Sequence, residues 1–521
     1  MAGGRLTKLT FTREEAHRYA RRPRGKLYAK MGAKKDGTIT ALHVGGYFDI
    51  GAHERHYAPF ITHLSYGIGS YKTQNARFES YAVNTNHFHA QAMRSVSAPF
   101  FAFAMESIIE EVAEKLNLDP VDIRLKNMPE SGDIMPPTPF VNNSAGCKRA
   151  RLDIYPGKKM LTEVLGKVDW KRKWRGFGKP TEVSGAKRKG IGLAYMQEHC
   201  GYSAESTASM QVVINRDGSV IVHSGAQEIG QGINTTLRML AAESFGVSLD
   251  DVAIFTGDTR TGQYDFINAR SSRQLATDGH LLLMAVEEAK KKIREIVAPV
   301  FKVKSDLIEV SGKQAYPKGD PQKAKHLRDL LSTTVTGTAT GRPGSLLPEV
   351  KPGFRPFQPL AVAVEIEVDT ETGTVRPLKL VTGMFPGRMI NKGIVRGQAI
   401  GGMIQSLGMA LWEELKYDEK AAMYLSKDFT DYKIPHSMDI PEVDTVLLEE
   451  VDEDSPYYEG LPYGGRGIGE LGCWGVPVAI ANAIYNATGV RVKKSPATAE
   501  TVLEALGKEI SDKSTGNHEK A

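Results

Sequence analysis

Three segments that lie far apart in the chain share one pattern, in which apolar and polar residues alternate on both sides of a short turn. Alternation with a period of two around Asp-Gly or Thr-Gly predicts a β-hairpin, because successive side chains of a strand point to opposite faces. The three segments are Leu27–Gly45, Met210–His223 and Val362–Val381. Their wide separation excludes a solenoid and predicts several sheets in different parts of the fold.

Helical spacing occupies the intervals between these hairpins. Apolar residues recur every three or four positions over Phe100–Leu116, which predicts an amphipathic helix. A second helix is expected to begin after Asp119 as the N-cap, with Pro120 at its first position. Further helices are expected at Ile233–Phe245, Leu275–Val297, Ile394–Leu415, Val476–Ala487 and Ala497–Leu506. Because strands and helices alternate without a strict βαβ order, we expect the α+β class rather than a doubly wound sheet.

Changes in composition predict two lobes, over residues 1–160 and 185–507, followed by a polar tail at 508–521. The segment Asn142–Lys189 is rich in Lys, Gly and Arg, which indicates a connector between the lobes. The segment Ala315–Phe357 is rich in proline and glycine, which predicts a long surface excursion.

The composition excludes several classes of partner. The net charge of +6 is small for 521 residues, and aromatic residues do not alternate with basic ones, so we expect no nucleic-acid partner. The three cysteines are far apart and form no CxxC pair, which argues against a disulfide framework or an iron–sulfur site. No apolar stretch is long enough to span a bilayer, so we expect a cytoplasmic protein without a membrane partner.

The segment Pro462–Gly472 combines five glycines with one carboxylate, Glu470, directly before the apolar run Val476–Ile484. Glycines allow sharp turns and the close approach of a ligand. An acid held in such a loop against an apolar wall is a candidate general base with a raised pKa. The alternative is an ordinary glycine-rich turn whose glutamate caps the next helix, and this segment alone favours that alternative.

The segment Gln227–Gly232 follows a predicted strand and opens a predicted helix. This arrangement offers free backbone N–H groups to an anion, and the Gln231 amide can both donate and accept. The alternative is an ordinary strand-to-helix turn.

The segment Asn268–Gln274 carries two hydroxyls and two guanidinium groups before another predicted helix. Such a helix start suits a phosphate group. A serine N-cap with solvent-facing arginines explains the segment equally well.

The segment Arg396–Gln405 begins a glycine-rich apolar helix and places Gln398 and Gln405 on one face, two turns apart. Glutamines on such a face require hydrogen-bond partners, whereas the alternative is a close helix crossing. The polar loop Ala92–Ser97 also precedes a helix, so the anion argument applies there too, although weakly.

Taken in order from about Leu6 to Leu506, these motifs resemble the molybdenum-binding large subunit of the xanthine dehydrogenase/aldehyde oxidoreductase family of molybdenum hydroxylases. Each motif is unspecific, and their shared order carries the resemblance. It implies a two-lobed molybdopterin-binding domain whose first lobe, 1–160, is incomplete at its N-terminus. Further matching segments are Asp49–Ala52, Tyr71–Asn75, Thr85-Asn86, Met105–Ser107, Arg124–Asn127 and Lys433–Pro435.

The resemblance implies a role for each matching residue. Glu470 is similar to the catalytic base beside the metal. No side chain is expected to ligate molybdenum, because the pterin dithiolene holds it. The residues expected to contact the cofactor are Arg94, Gly230, Gln231, Gly232, Ser271, Ser272, Arg273, Gln398, Gly467 and Gly469.

The implied activity is that of a molybdopterin-dependent oxidoreductase. Oxygen derived from water is transferred to an electron-poor carbon of an aromatic or N-heterocyclic, aldehyde or acyl-CoA substrate. Electrons then pass to a 2Fe-2S subunit and an FAD subunit. The loops suit either form of the pterin, and we expect the cytosine dinucleotide form. The alternative is a non-catalytic scaffold or cofactor-binding fragment of such a complex.

The chain also departs from the family pattern. The family's Gly-Gly-Gly-Phe-Gly loop has no counterpart, so we expect a separate chain to supply the missing N-terminal lobe. Val96 stands where the purine-oxidising branch has a substrate-stacking phenylalanine, and Thr62 lies near the position of its substrate-facing arginine; both differences count against xanthine. Ser95 stands where the carbon-monoxide branch has a cysteine, and Cys473 is expected to be a small buried hydrophobe.

Overall fold

The computed structural model describes residues 3–507 apart from 6, 20, 54–69, 136–149, 200–206, 267–268, 342–353, 356, 456–457 and 459. Thr62, Cys147, Cys200 and the predicted tail 508–521 lie outside the described residues. No helix in the described ranges combines the length and the apolar composition that crossing a bilayer requires.

Six sheets form the β-structure of the described residues. A central antiparallel sheet with one parallel edge strand has the order Glu442–Leu447, Val375–Met384, Phe357–Asp369, Lys187–His199, Glu182–Ser184. A four-stranded sheet has the order Val252–Phe255, Val220–Ser224, Ala208–Ile214, Val335–Gly341. An N-terminal sheet has the order Arg24–Ala33, Ile39–Gly51, Asn75–Asn84. The smaller sheets are Ile308–Ser311 with Gln314–Pro317 and Lys325–His326; Phe354–Arg355 with Ala150–Leu152 and Ile134–Met135; and Tyr417–Asp418 with Met423–Tyr424.

The α-helices of the described residues cover these sheets. They span Arg13–Tyr19, Ala98–Leu116, Pro120–Asn127, Gly157–Lys167, Trp170–Lys173, Ile233–Phe245, His280–Phe301, Leu327–Leu330, Lys392–Leu411, Val476–Thr488 and Ala499–Ala505.

All three predicted hairpins are confirmed, and each turns at a glycine with positive φ. These are Gly37 (φ 84°), Gly218 (φ 83°) and Gly373 (φ 74°). Only glycine adopts this conformation without strain from a Cβ, which is why the turn chemistry was readable from the sequence.

The predicted helices are confirmed, with shifts of a few residues at their ends. Asp119 caps the helix Pro120–Asn127, and its side chain accepts a hydrogen bond from the backbone N–H of Val121 at 2.7 Å. The helix expected from Leu275 begins with a π-helical turn, Leu275–Gly279, before the regular helix starts at His280.

Two predicted loop regions are wrong in part. The connector predicted at Asn142–Lys189 contains the helix Gly157–Lys167, which packs on the central sheet, and Trp170 is buried. The predicted surface excursion Ala315–Phe357 contains the strand Val335–Gly341, which pairs with Ala208–Ile214. The glycines of that strand weaken its β signal, although Gly337 allows the helix His280–Phe301 to pack closely against it.

The buried apolar side chains form two main clusters in the described residues. The larger joins the N-terminal sheet, the helix Ala98–Leu116, the central sheet and the helix Val476–Thr488. The smaller lies between the four-stranded sheet and its two long helices. Because the larger cluster draws side chains from both sides of the gap between 160 and 185, the predicted lobe boundaries stay a prediction.

A buried polar network joins the first long helix to its neighbours. Arg124, whose side chain is fully buried, donates to Glu106 Oε2 at 2.9 Å, Glu110 Oε2 at 3.0 Å and the carbonyl oxygen of Pro120 at 2.7 Å. The Tyr71 hydroxyl donates to Glu106 Oε1 at 2.6 Å. Burial raises the pKa of Glu110, and the charge and hydrogen bond of Arg124 offset part of this rise. The ionised form of Glu110 therefore depends on the guanidinium group of Arg124.

The fold brings the C-terminal end of the strand Lys187–His199 close to the glycine loop that precedes the helix Val476–Thr488. A Cβ at Gly190 or Gly192 of that strand would overlap the backbone of the helix, so the two elements are in direct contact. An acid near the end of the strand and an acid in the loop are therefore held by one rigid unit.

Candidate active site

Glu470 does not cap a helix, which excludes the simplest alternative for its loop. It precedes a short 3-10 turn, Leu471–Cys473, without a side-chain cap hydrogen bond, and the following helix begins after Gly475. The residue is partly exposed although protein atoms surround it densely. Its carboxyl group therefore lies in a crevice and not in bulk solvent.

Two glycines allow the loop to touch its neighbours. A Cβ at Gly467 would overlap the carbonyl oxygen of Ser272, and a Cβ at Gly472 would lie 2.7 Å from the Cα of Gly402. The loop thus presses against the 271–273 loop on one side and against the helix Lys392–Leu411 on the other. The close crossing that we considered as an alternative for that helix is present at Gly402.

Arg94 connects the loop 92–97 to two other parts of the site. Its Nε donates to the carbonyl oxygen of Gly469 at 2.5 Å, and its Nη2 donates to the carbonyl oxygen and to Oε1 of Gln398, both at 3.1 Å. The carbonyl oxygen of Arg94 accepts a hydrogen bond from Arg22 Nη2 at 2.6 Å. The guanidinium group therefore fixes three chain segments at once.

Serine residues hold the backbone and the carboxyl group of Glu470. The Ser95 hydroxyl donates to the Glu470 carbonyl oxygen at 2.5 Å, and the Glu470 N–H donates to Ser272 Oγ at 2.9 Å. The backbone N–H groups of Ser95 and Ser271 donate to the carboxyl group. Both sides of Glu470 are thus constrained by loops that are distant in sequence.

These serine loops have unusual backbone geometry. Ser95 (φ 68°), Val96 (φ 44°), Ser271 (φ 56°) and Ser272 (φ 50°) are four of the nine non-glycine residues with positive φ in the described chain. Such conformations are strained for residues with a Cβ, and they concentrate at functional sites. Here the N–H groups of Ser95 and Ser271 point at the Glu470 carboxyl group.

The surroundings shift the pKa of Glu470. Desolvation raises it above its ordinary value, while the hydrogen bonds from Ser95, Glu198 and Ser271 and the charge of Arg94 oppose that effect. A carboxyl group with a raised pKa is a better proton acceptor once it is ionised.

Sequence reasoning missed a second acid, Glu198, near the end of the strand Lys187–His199. The residue is 4% exposed, and its side chain is hydrogen-bonded to Glu470. Burial raises its pKa well above the ordinary value, and the charge of Glu470 adds to this shift. The sequence does contain a signal for this residue, because Glu198 ends a long apolar run. An acid at a buried strand position is rare and therefore indicates a functional role.

The Gly230–Gly232 loop contacts two segments that line the site. Gln231 Nε2 donates to Gln274 Oε1 at 2.7 Å, and a Cβ at Gly232 would overlap Ile394, one turn before Gln398. The expectation of free N–H groups at this helix start is wrong. The N–H groups of Gly230 and Gly232, both at 2.9 Å, and of Asn234, at 3.1 Å, donate to the Glu228 carboxylate.

Arg273 is placed differently from its loop neighbours. Its guanidinium group is fully buried in an ion pair with Asp265, whereas Ser271 and Ser272 are partly exposed beside Glu470. The expected cofactor contact of Arg273 stays a prediction. Within the described residues, no group of three or more His, Cys, Asp or Glu side chains is positioned to hold a metal ion.

Cys473 lies behind the site, as expected for a small buried residue. Its Sγ contacts the carbonyl oxygen of Gly402 at 3.4 Å and Gln405 Oε1 at 3.5 Å. Burial raises the pKa of its thiol to about 11, so the group remains protonated. Gln398 and Gln405 both face the site loops, as their spacing predicted.

Comparison with known proteins now identifies the family. The model of the molybdopterin cofactor-binding domain matches residues 163–441, which is more than half of the chain, and a second domain of that description matches residues 1–128. The chain belongs to the molybdopterin cofactor-binding family. The resemblance inferred from the motifs and the α+β fold class are thereby confirmed.

Individual relatives agree with this assignment. The xanthine dehydrogenase molybdenum-binding subunit of Escherichia coli O157:H7 is 28% identical over 509 residues, covering 96% of this chain and 65% of the relative. The 6-hydroxypseudooxynicotine dehydrogenase complex subunit gamma of Paenarthrobacter nicotinovorans is 28% identical over 506 residues, covering 96% and 61%. The chain therefore spans just under two thirds of the length of these curated relatives.

A solved structure shares the fold of this molybdopterin-binding chain. Quinoline 2-oxidoreductase from Pseudomonas putida 86 superposes with a TM-score of 0.80 at 23% identity, covering 96% of this chain and 64% of its own.

The residues around Glu470 fit a bound pterin cofactor. A Cβ at Gly397 or Gly401, one turn apart on the helix that carries Gln398, would meet nothing within 4 Å. These glycines leave an open strip that a ligand can approach closely. Three buried atoms also lack hydrogen-bond partners among the described residues: Oε1 of Gln227, Nε2 of Gln274 and Oε1 of Gln358. Buried polar atoms of this kind call for a ligand or ordered water.

Proposed function

We propose that this chain is the molybdenum cofactor-binding part of a hydroxylase in which Glu470 is the general base. The reaction transfers an oxygen derived from water to an electron-poor carbon. The observation that supports this most directly is the Glu470 carboxyl group, which is partly exposed, has a raised pKa and is fixed by the N–H groups of Ser95 and Ser271. A fixed base with a raised pKa suits proton abstraction near neutral pH.

Molybdopterin, when bound, supplies the two-electron oxidation that no side chain of this protein can perform. In our proposal Gln398 and Gln231 offer amide groups to it, and Gly397 and Gly401 allow it to approach the helix. The loop that carries Ser271 suits a phosphate group of either pterin form, and we propose the cytosine dinucleotide form. Arg94 and the serine loops orient Glu470 and do not themselves take up the proton.

The proposed substrates are small aromatic or N-heterocyclic molecules, with aldehydes and acyl-CoA thioesters as alternatives. Val96 is 8% exposed and packs with Ile50 and Ala90, so its side chain does not stack on a substrate. The names of the quinoline and 6-hydroxypseudooxynicotine enzymes support an N-heterocyclic substrate.

The proposed partners are a 2Fe-2S subunit and an FAD subunit that accept the electrons. Support comes from the relative in Paenarthrobacter nicotinovorans, which is named as one subunit of a complex. A separate chain that supplies the remaining molybdopterin lobe stays a prediction, as does the cytoplasmic location inferred from the cysteine content.

The decisive experiment is Glu470→Gln in the native complex. We expect kcat to fall by about 10²–10⁴-fold, because the amide cannot accept the proton, while the molybdenum content remains at the wild-type level. Steady-state kinetics and metal analysis measure the two quantities. Glu182→Gln is a matched control, since Glu182 is exposed and pairs only with Lys189 among the described residues.

The alternative function is a non-catalytic scaffold or cofactor-binding fragment. It would be supported by a complex with full molybdenum occupancy in which Glu470→Gln turns over at the wild-type rate. That outcome would remove Glu470 from the chemistry.

A further inference from the structure

Glu198 lies where an ionised carboxylate is hard to accommodate. The residue is 4% exposed near the end of its strand, and its Oε2 atom is buried without a hydrogen-bond partner. Gln358 is its partner across the sheet, so the two side chains share one face, and Gln358 Nε2 donates to the carbonyl oxygen of Gly467 at 2.9 Å. That amide donor is therefore already in use.

The contact between Glu198 and Glu470 requires a proton. Two ionised carboxylates are both acceptors only, so a hydrogen bond between them forms when one of them carries a hydrogen. Glu470 accepts from the N–H groups of Ser95 and Ser271, and these favour its ionised form. Among the described residues Glu198 has no such donors, so the shared proton resides on Glu198.

The charged and titratable groups around the pair do not replace this proton. Arg94 directs its hydrogen bonds to oxygen atoms of Gly469 and Gln398, and it acts on both acids through its charge. Arg22 binds the carbonyl oxygen of Arg94 and also acts on Glu470 through its charge. The Cys473 thiol, which is close to Glu470, remains neutral. Two negative charges in this buried position would thus lack a direct partner.

We propose that Glu198 and Glu470 form a carboxyl pair that shares one proton, and that Glu198 positions the ionised Glu470 by donating that proton to it. The inference extends the proposed function, because it assigns a positioning residue to the base. When Glu470 accepts a further proton from water, an O–H bond of the water breaks, and the hydroxide oxygen that remains is the one transferred to the electron-poor carbon. The pair changes from one proton to two and from charge −1 to neutral. The charge change is confined to one carboxyl group, while the other remains protonated.

Infrared spectroscopy of the full-length protein tests the pair without any turnover. We expect the wild type to show, in addition to the absorption of the buried Asp278, a C=O absorption of a protonated carboxyl group at neutral pH that is missing from Glu198→Gln. Glu470→Gln should keep that absorption, but its disappearance on raising the pH should occur at least about one pH unit lower, because the neighbouring negative charge is gone. A residue with only a packing role would not shift the titration.

A matched control is Asp278→Asn, which removes another buried acid with a raised pKa and should leave both signals of the pair unchanged. If the carboxyl C=O absorption of Glu198→Gln is the same as that of the wild type, or if Glu470→Gln does not move the titration of the Glu198 absorption, the shared proton is refuted. If Glu198→Gln does not fold, the Glu470→Gln titration alone decides. An intact pair in a complex whose Glu470→Gln variant keeps full turnover would refute the proposed function and leave the pair standing.

Discussion

Arg124→Met should destabilise the protein in a strongly pH-dependent way. Arg124 is fully buried and is the cation that faces both Glu106 and Glu110. Glu106 keeps two other donors in the variant, the Tyr71 hydroxyl at 2.6 Å and the Tyr195 N–H at 2.8 Å. In the part of the chain that the structure describes, Glu110 has no comparable donors, so it must take up a proton on folding once the guanidinium is removed.

The size of the effect follows from that proton. Protonating a glutamate with an unfolded pKa of about 4.3 costs about 3.7 kcal/mol at pH 7 and about 1 kcal/mol at pH 5. The lost hydrogen bond to the Pro120 carbonyl oxygen adds about 1 kcal/mol. A raised pKa in the folded state lowers stability as pH rises above the unfolded pKa. Because burial already raises the pKa of Glu110 in the wild type, part of this cost is present there too, and we expect losses of up to about 5 kcal/mol at pH 7 and up to about 2 kcal/mol at pH 5.

Urea unfolding followed by circular dichroism at the two pH values measures these losses. Arg491→Met is the control, because Arg491 pairs with Glu114 on the same helix but both side chains are partly exposed, at 18% and 35%. Its loss should not exceed about 1 kcal/mol at either pH. An Arg124→Met loss of equal size at pH 5 and pH 7 would show that the network does not act through the protonation of Glu110.

Two other changes give independent predictions. Gly467→Ala should lower the amount of bound molybdenum, measured by metal analysis, about ten- to hundredfold, because the new Cβ would displace Ser272 from Glu470. Gly166→Ala is the control and should have no effect, because its Cβ would meet nothing within 4 Å. Burial, with the charge of Asp265, raises the pKa of Asp278 to about 8. The free energy of unfolding should therefore fall by up to about 1.4 kcal/mol per pH unit between about pH 4 and pH 8 from this group, and Asp278→Asn should remove that slope in urea titrations. An unchanged slope in Asp278→Asn, or wild-type molybdenum in Gly467→Ala, would contradict the respective argument.

The parts of the fold that local chemistry determines were readable from the sequence. The three hairpins depend on glycines with positive φ and on period-two alternation, both of which are properties of a few adjacent residues. The cap at Asp119 and the helix Ile233–Phe245 also depend on residues that are adjacent in the sequence. The gathering of the Arg94, Ser272, Gln398 and Glu470 segments was expected from the order of the motifs.

Features that depend on tertiary pairing were not predictable. The contact of Glu198 with Glu470 requires the position of a strand end relative to a loop some 270 residues away in the sequence. The strand Val335–Gly341 contains two glycines, which weaken its β signal, and its partner Ala208–Ile214 lies in a distant part of the sequence. The prediction that the N–H groups of the Gly230–Gly232 loop are free to bind an anion was wrong, because the Glu228 side chain folds back and accepts hydrogen bonds from Gly230 and Gly232.

The use of main-chain groups around Glu470 has an evolutionary consequence. Two of its donors are peptide N–H groups, of Ser95 and Ser271, which every residue except proline possesses. Mutational drift can therefore replace these side chains and keep the N–H contacts with the Glu470 carboxyl group, provided that the new residue tolerates a left-handed conformation, although at Ser95 the hydroxyl bond to the Glu470 carbonyl oxygen is lost. Glycine and asparagine meet that condition most readily, so substitution by either should be accepted where valine or isoleucine would be rejected.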